Sequence, residues 1–199
     1  KMIEYKTAVL VAAAMKMGAI IAQTSKENSQ LIYDFGLNLG LAFQLQDDYL
    51  DAFGDPKTFG KQVGGDIIEN KKTFLYLKAL EFSNPEEKNQ LIQLFSTRLE
   101  DNVDKIQIVK EVFNATGASQ ATQKAIEQFT LKAFDTLEKI QISKDKKEIL
   151  KEFGQNLSKS KLVVPMLNLP MMLNFGFEEA KFRIGLGGYV GYRIGGYSK

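Results

Sequence analysis

The chain has 199 residues, 44% of them apolar, enough for one globular core. It contains neither cysteine nor histidine, which excludes disulfide frameworks, thiolate zinc sites and imidazole acid–base chemistry. The formal charge of +2 is small, and no basic patch interleaved with aromatic residues points to nucleic acid.

Residues 4 to about 24 read as a first helix, filled with alanine, in which Met15, Met17, Ile20 and Ile21 predict burial on most sides. Charges break up Lys1-Met2-Ile3-Glu4-Tyr5-Lys6, so no signal peptide is expected. A second helix over 28–53 is capped by Asn28 or Ser29 and ended by Gly54-Asp55-Pro56. The following loop holds Gly60, Gly64 and Gly65, which suit either close approach of the backbone to an anion or a long turn. A third helix, from about 72 to 82, stops at Asn84-Pro85. Helical stretches over 86–100 and 103–114 break near Asp101-Asn102 and end at Thr116-Gly117. Segments 118–139 and 145–157 complete an all-α series.

Beyond Leu162 the period changes. Pro165 and Pro170 exclude a regular helix interior. Phe182, Ile184, Leu186, Val190, Tyr192 and Ile194 alternate with Arg183, Gly185, Gly187, Gly191, Arg193 and Gly195, which is the period of a strand. The expected organisation is one helical domain, residues 1–160, and a Gly-rich β-hairpin-like tail, residues 161–199.

The chemistry concentrates on the second helix. Asp47 and Asp51 are four residues apart and Asp48 and Asp51 three, so all three carboxylates lie along or beside one helical face. Such like-charged pairs repel by roughly a few tenths of a kcal/mol each. A solvated acidic face is the plain reading, and a divalent cation is the functional one. Mg²⁺ is held by one or two carboxylates, with substrate phosphates completing its octahedron. Lys61 and Lys71 follow downstream and suit the phosphate charge that a metal leaves unneutralised. A phosphate-binding P-loop is excluded, because Pro56 lies between Gly54 and Gly60 and Gln62 follows Lys61. A calcium loop is excluded by the spacing of the acids.

The run FQLQDDYLDAFGDPKTFGKQVGGDIIENKKT, residues 43–73, resembles the second aspartate-rich region of the trans-prenyl diphosphate synthases. Lys6-Thr7 resembles that family's lysine–threonine pair. The resemblance covers roughly residues 1–160 and implies the C-terminal half of the isoprenoid-synthase helical bundle. It implies that Asp47 ligates Mg²⁺ directly, while Asp48 and Asp51 act through waters or neighbouring bonds. Lys6, Lys61 and Lys71 would bind the diphosphate, with Lys72 as the alternative to Lys71, and Asp66 would orient a lysine or a metal-bound water. Thr7 and Gln44 would turn their oxygens toward a developing allylic cation, and Phe43 would wall the prenyl pocket. The competing readings are solubilising lysines, ordinary buried hydrogen bonds for Thr7 and Gln44, and core packing for Phe43.

The implied activity is condensation of an allylic diphosphate with isopentenyl diphosphate, by a cytoplasmic, Mg²⁺-dependent homodimer with no nucleic-acid partner. Asp-Asp-x-x-Asp occurs once in the chain, so the family's first such region is missing, and the chain by itself is expected to be inactive. Two other readings stand beside this one. The chain could be a non-catalytic partner subunit of a heteromeric synthase. Alternatively, residues 164–175 and 182–197 resemble a piece of a bacterial outer-membrane β-barrel, and membrane contact follows only if that tail defines the chain. The tail is expected to be an unrelated join.

Overall fold

The computed structural model of the protein describes residues 3–55, 63–97 and 102–158. Every regular element among the described residues is helical. A π-helical turn, Glu4–Ala8, runs into α1, Val9–Ile21, because the Val9 N–H reaches back to the Glu4 carbonyl. Helix α1 ends sooner than expected, in a left-handed turn at Gln23 (φ 53°). There Gln23 N–H bonds the Ile20 carbonyl at 2.9 Å and Thr24 N–H bonds the Ala19 carbonyl at 3.2 Å, a Schellman closure made without glycine.

Helix α2, Lys26–Phe53, is the longest described element at 28 residues. Its cap is Ser25, whose Oγ accepts the Asn28 N–H at 3.1 Å, rather than the expected Asn28 or Ser29. Asn28 is used elsewhere. Its amide donates to the Gln141 carbonyl at 3.0 Å and accepts the Gln141 N–H at 3.1 Å, pinning the start of α2 to the far end of the domain.

A short helix α3, Gly65–Ile68, has no counterpart among the elements expected from sequence. Then come α4 (Phe74–Phe82), α5 (Pro85–Leu94), α6 (Val103–Ala115), α7 (Ala118–Lys139) and α8 (Lys144–Ser158). Thr73 caps α4, and Asn84 forms a capping box with Glu87 at the start of α5. Helix α5 stops well before residue 100. The Ser96 and Thr97 hydroxyls bond back to the Ile92 and Gln93 carbonyls at 2.7 and 3.0 Å, and such local bonds compete with a continuing helix.

Helix α2 packs against α1 on one side and against α7 and α8 on the other. The α1 contact is close because Gly36 and Gly40 lie against Ala12 and Ala8. A Cβ at residue 40 would sit 2.6 Å from the Ala8 Cα, and one at residue 36 would sit 2.8 Å from the Met15 Sδ. Two apolar clusters flank the middle of α2. Phe35 and Leu39 join Val11, Met15, Ala133, Leu137 and Ile140 in one. Ala52 joins Ile67, Leu75, Tyr76, Leu91, Phe95, Val109 and Phe113 in the other. Gln44, Asp47, Asp48 and Asp51 lie in the stretch between them.

Only Met15 of the four expected core residues on α1 is buried. Met17, Ile20 and Ile21 are exposed by 59%, 59% and 57%. A helix lined by a single neighbour buries one stripe only, whatever the apolarity of its other face. The expected tail strands and the 160/161 boundary lie outside the described residues. No helix among the described residues is long and apolar enough to cross a membrane.

Candidate active site

The π-helical turn carries Lys6 and Thr7 to the flank of α2. Because Gly40 lets α1 approach, the Thr7 Oγ1 donates to the Gln44 Oε1 at 2.6 Å. The Gln44 Nε2 in turn donates to the Asp48 Oδ1 at 2.9 Å, one helical turn further along α2. Gln44 and Asp48 are both buried, Asp48 to 6% exposure, so each polar end needs the partner it has. The amide oxygen that sequence reasoning aimed at a cation is thus engaged by Thr7, and the whole chain of dipoles points its donors toward Asp48.

The second half of the site comes from the glycine loop folding back. Gly64 adopts φ 85° and its N–H meets the Asp51 backbone carbonyl at 2.6 Å. The Asp66 N–H donates to the Asp51 Oδ2 at 2.8 Å, and a Cβ on Gly65 would come within 3.2 Å of the Asp51 Oδ1. Of the described loop glycines, Gly65 leaves the room that the Asp51 carboxylate occupies.

Helix α3 then closes on Asn70, at φ 58°, with Asn70 N–H on the Ile67 carbonyl (3.2 Å) and Lys71 N–H on the Asp66 carbonyl (2.9 Å). That closure sends the Lys71 Nζ back to the Asp66 Oδ1 at 2.8 Å and to the Glu69 Oε2 at 2.7 Å. Asp66 pairs with Lys71, and no such pairing involves Lys72 among the described residues. Glu69 escapes sequence reasoning, since its only signal is its place two residues before Lys71.

The electrostatics follow from burial. Desolvation pushes the Asp48 carboxyl up to about 6, opposed by the Gln44 hydrogen bond and by Lys6, and reinforced by the Asp66 and Asp47 charges. Desolvation also pushes Asp51 up to about 6, against the Asp66 N–H and Lys71 and with the Asp66 and Asp47 charges. Lys71 is held above the usual lysine range by its hydrogen bonds to Asp66 and Glu69. Two carboxyls poised to take up protons near neutrality mark a place short of positive charge. Among the described residues no three Asp, Glu, His or Cys side chains converge into a metal cage. Asp48 is turned toward Gln44 and Asp51 toward Asp66 N–H. Asp47 is half-buried beside them, and Phe43 is partly buried against the Phe35–Leu39 cluster. Lys61 lies outside the described residues.

Residues 1–115 match the family described as Polyprenyl synthetase. The chain belongs to that family. It is 35% identical over 152 residues to the short chain isoprenyl diphosphate synthase of Methanothermobacter thermautotrophicus, covering 76% of this chain and 43% of that relative. The fold matches a crystal structure of geranylgeranyl pyrophosphate synthase with TM-score 0.72 and 49% identity, over 79% of this chain and 49% of the other. It also matches the polyprenyl synthase of Caulobacter crescentus CB15, complexed with calcium and isoprenyl diphosphate. That match has TM-score 0.71 and 34% identity, over 80% of this chain and 48% of the other. The chain spans about half the length of the relatives it matches. The all-helical architecture of its described residues is that of the isoprenoid synthases.

Proposed function

We propose that this chain supplies the second half of the active site of a prenyl diphosphate synthase, which condenses an allylic diphosphate with isopentenyl diphosphate. The observation that carries the reading is the pair of desolvated carboxyls, Asp48 and Asp51, set in a hydrogen-bonded frame beside the Asp66–Lys71 pair. A structural helix gains nothing from setting one buried and one half-buried acid, neither neutralised, a turn apart. The donor set suits Mg²⁺, which takes one or two carboxylates and leaves its other positions to water and phosphate oxygens. Asp47 would hold the metal, with Asp48 and Asp51 fixing its surroundings. Bound there, Mg²⁺ would neutralise the diphosphate as it leaves.

The chain's own residues do the rest of the work. Lys6, Lys61 and Lys71 bind diphosphate oxygens, and Asp66 with Glu69 aims Lys71. The Thr7–Gln44–Asp48 series holds the Asp48 carboxyl in place beside the metal position. Phe43 forms part of the wall against which the prenyl chain lies. Mg²⁺ dependence, a cytoplasmic setting and assembly as a homodimer belong to the same reading and rest on the family. The partner-subunit and outer-membrane readings gain no support from the relatives.

Calorimetric titration of the chain with inorganic pyrophosphate and Mg²⁺ tests the half-site. Binding that requires Mg²⁺ and falls at least about tenfold in Lys71→Ala, the loss of one charge-assisted hydrogen bond, is the expected result. Binding indifferent to Mg²⁺ and to Lys71 would overturn the reading. Supplied alone with both diphosphates and Mg²⁺, the chain is expected to incorporate isopentenyl diphosphate only at background rate, since it carries one Asp-Asp-x-x-Asp motif.

A further inference from the structure

Lys105, in the first turn of α6, is 1% exposed. A lysine this deep needs partners for its ammonium hydrogens. It donates to the Asn70 Oδ1 at 2.5 Å and to the Thr97 carbonyl at 3.1 Å, and lies 5.8 Å from the centre of the Phe95 ring. The Asn70 Nδ2 reaches the same Thr97 carbonyl at 3.4 Å. The turn after α3 is thereby tied, across some two to three dozen residues, to the end of α5 and the start of α6 at one point.

Asn70 is one of two described non-glycine residues with positive φ. Its left-handed conformation is what closes α3 and returns Lys71 to Asp66, by backbone at 2.9 Å and by side chain at 2.8 Å. Asparagine enters that region more readily than most residues, but still at some expense relative to glycine. The Lys105 ammonium offsets this by holding the Asn70 side chain.

We propose that Lys105 is a positioning residue. By gripping Asn70 it locks the left-handed turn that presents Lys71 to the diphosphate. The inference rests on the reading of Lys71 as a diphosphate ligand. An apolar side chain would fill the same space without the desolvation that holds the Lys105 pKa below the ordinary lysine value, so packing alone does not account for a lysine here. The turn's own backbone bonds leave the Asn70 side-chain oxygen open, and the ammonium supplies the directed bond that holds it.

The test compares Lys105→Met in the parent chain and in an Asn70→Gly background, where glycine takes the left-handed turn without help. In the parent, Lys105→Met is expected to lower hydrogen-exchange protection of the Lys71 amide at least about tenfold, as loss of a charge-assisted bond would, while α7 amides keep theirs. In Asn70→Gly the same substitution is expected to change little. Equal loss in both backgrounds, or loss spread over α7, would make Lys105 a general stability residue and overturn the proposal. If Lys105→Met does not fold alone but folds with Asn70→Gly, the lock is upheld. If neither folds, it is overturned.

Pyrophosphate affinity, measured with Mg²⁺ in Lys105→Met, Lys71→Ala and the double variant, adds the functional arm. A double variant no weaker than Lys71→Ala shows that Lys105 acts through Lys71. Additive losses overturn that route. Loss of Lys71 protection in a parent chain that binds no pyrophosphate would uphold the lock and sink the functional reading instead.

Discussion

Asp48 and Asp51 carry opposite demands from folding and from chemistry. Both carboxyls stand at about 6 in the folded chain, against an ordinary aspartate value of 3.8. Between those values the folded state holds protons that the unfolded state has released. Acidification from pH 7 through 6 toward 4 therefore favours folding, and the penalty is fully present above 6. Each tenfold change in proton affinity corresponds to about 1.4 kcal/mol, so ionising Asp48 costs at most about 3 kcal/mol at pH 7. Asp48→Asn, which buries amide hydrogens in exchange, is expected to recover about 1–2 kcal/mol of it. The asparagine keeps the oxygen that accepts from Gln44 and loses the buried charge. Urea unfolding at pH 7 and again near pH 4 checks this, since the gain should disappear at the lower pH. The same variant is expected to bind Mg²⁺ and pyrophosphate more weakly. The three-acid spacing was legible in the sequence because helical periodicity alone places those side chains. The capture of Asp51 by the Asp66 N–H was not, because it depends on how a glycine loop folds back.

Helix α2 positions the site through its glycines as much as through its acids. With a Cβ at residue 40 only 2.6 Å from the Ala8 Cα, Gly40→Val must push the π-helical turn, and the start of α1 with it, outward. The expected loss is about 1–3 kcal/mol of stability, together with the Thr7–Gln44 bond. Leu39→Ala, one residue away and buried in the apolar cluster, is expected to lose about 2–5 kcal/mol yet keep that bond. Thermal melts of both variants, set beside Mg²⁺-dependent pyrophosphate binding, separate the two effects: binding should fall in Gly40→Val and persist in folded Leu39→Ala. At this scale the sequence located most described helices, since caps and proline breaks are local signals. It misplaced the start of α2 because several neighbouring polar residues could cap it, and only the tie from Asn28 to Gln141 decides among them. It missed α3 because four residues carry no period.

Seen as a whole, the described bundle leaves one side of α1 bare. Leu10, Met17, Ile20 and Ile21 are each more than half exposed and follow one another along that helix. Contiguous apolar surface of this kind drives association in water. The chain by itself is therefore expected to self-associate as its concentration rises. The paired substitutions Leu10→Lys and Ile20→Lys should shift sedimentation profiles toward monomer without lowering helicity. An unchanged association state would show that this stripe is not the surface responsible.

The sequence by itself determined the helical class, the helical spacing of Asp47, Asp48 and Asp51, and the resemblance that led to the polyprenyl synthetase family. Period, caps and motif spacing act over a few residues, and a few residues can be read in order. Tertiary structure alone decided that Thr7 meets Gln44, that Asp66 takes Lys71, and that Lys105 holds Asn70. The first and last of these contacts join positions dozens of residues apart, and all three form only where packed helices and left-handed turns bring them together. No local pattern encodes that distance.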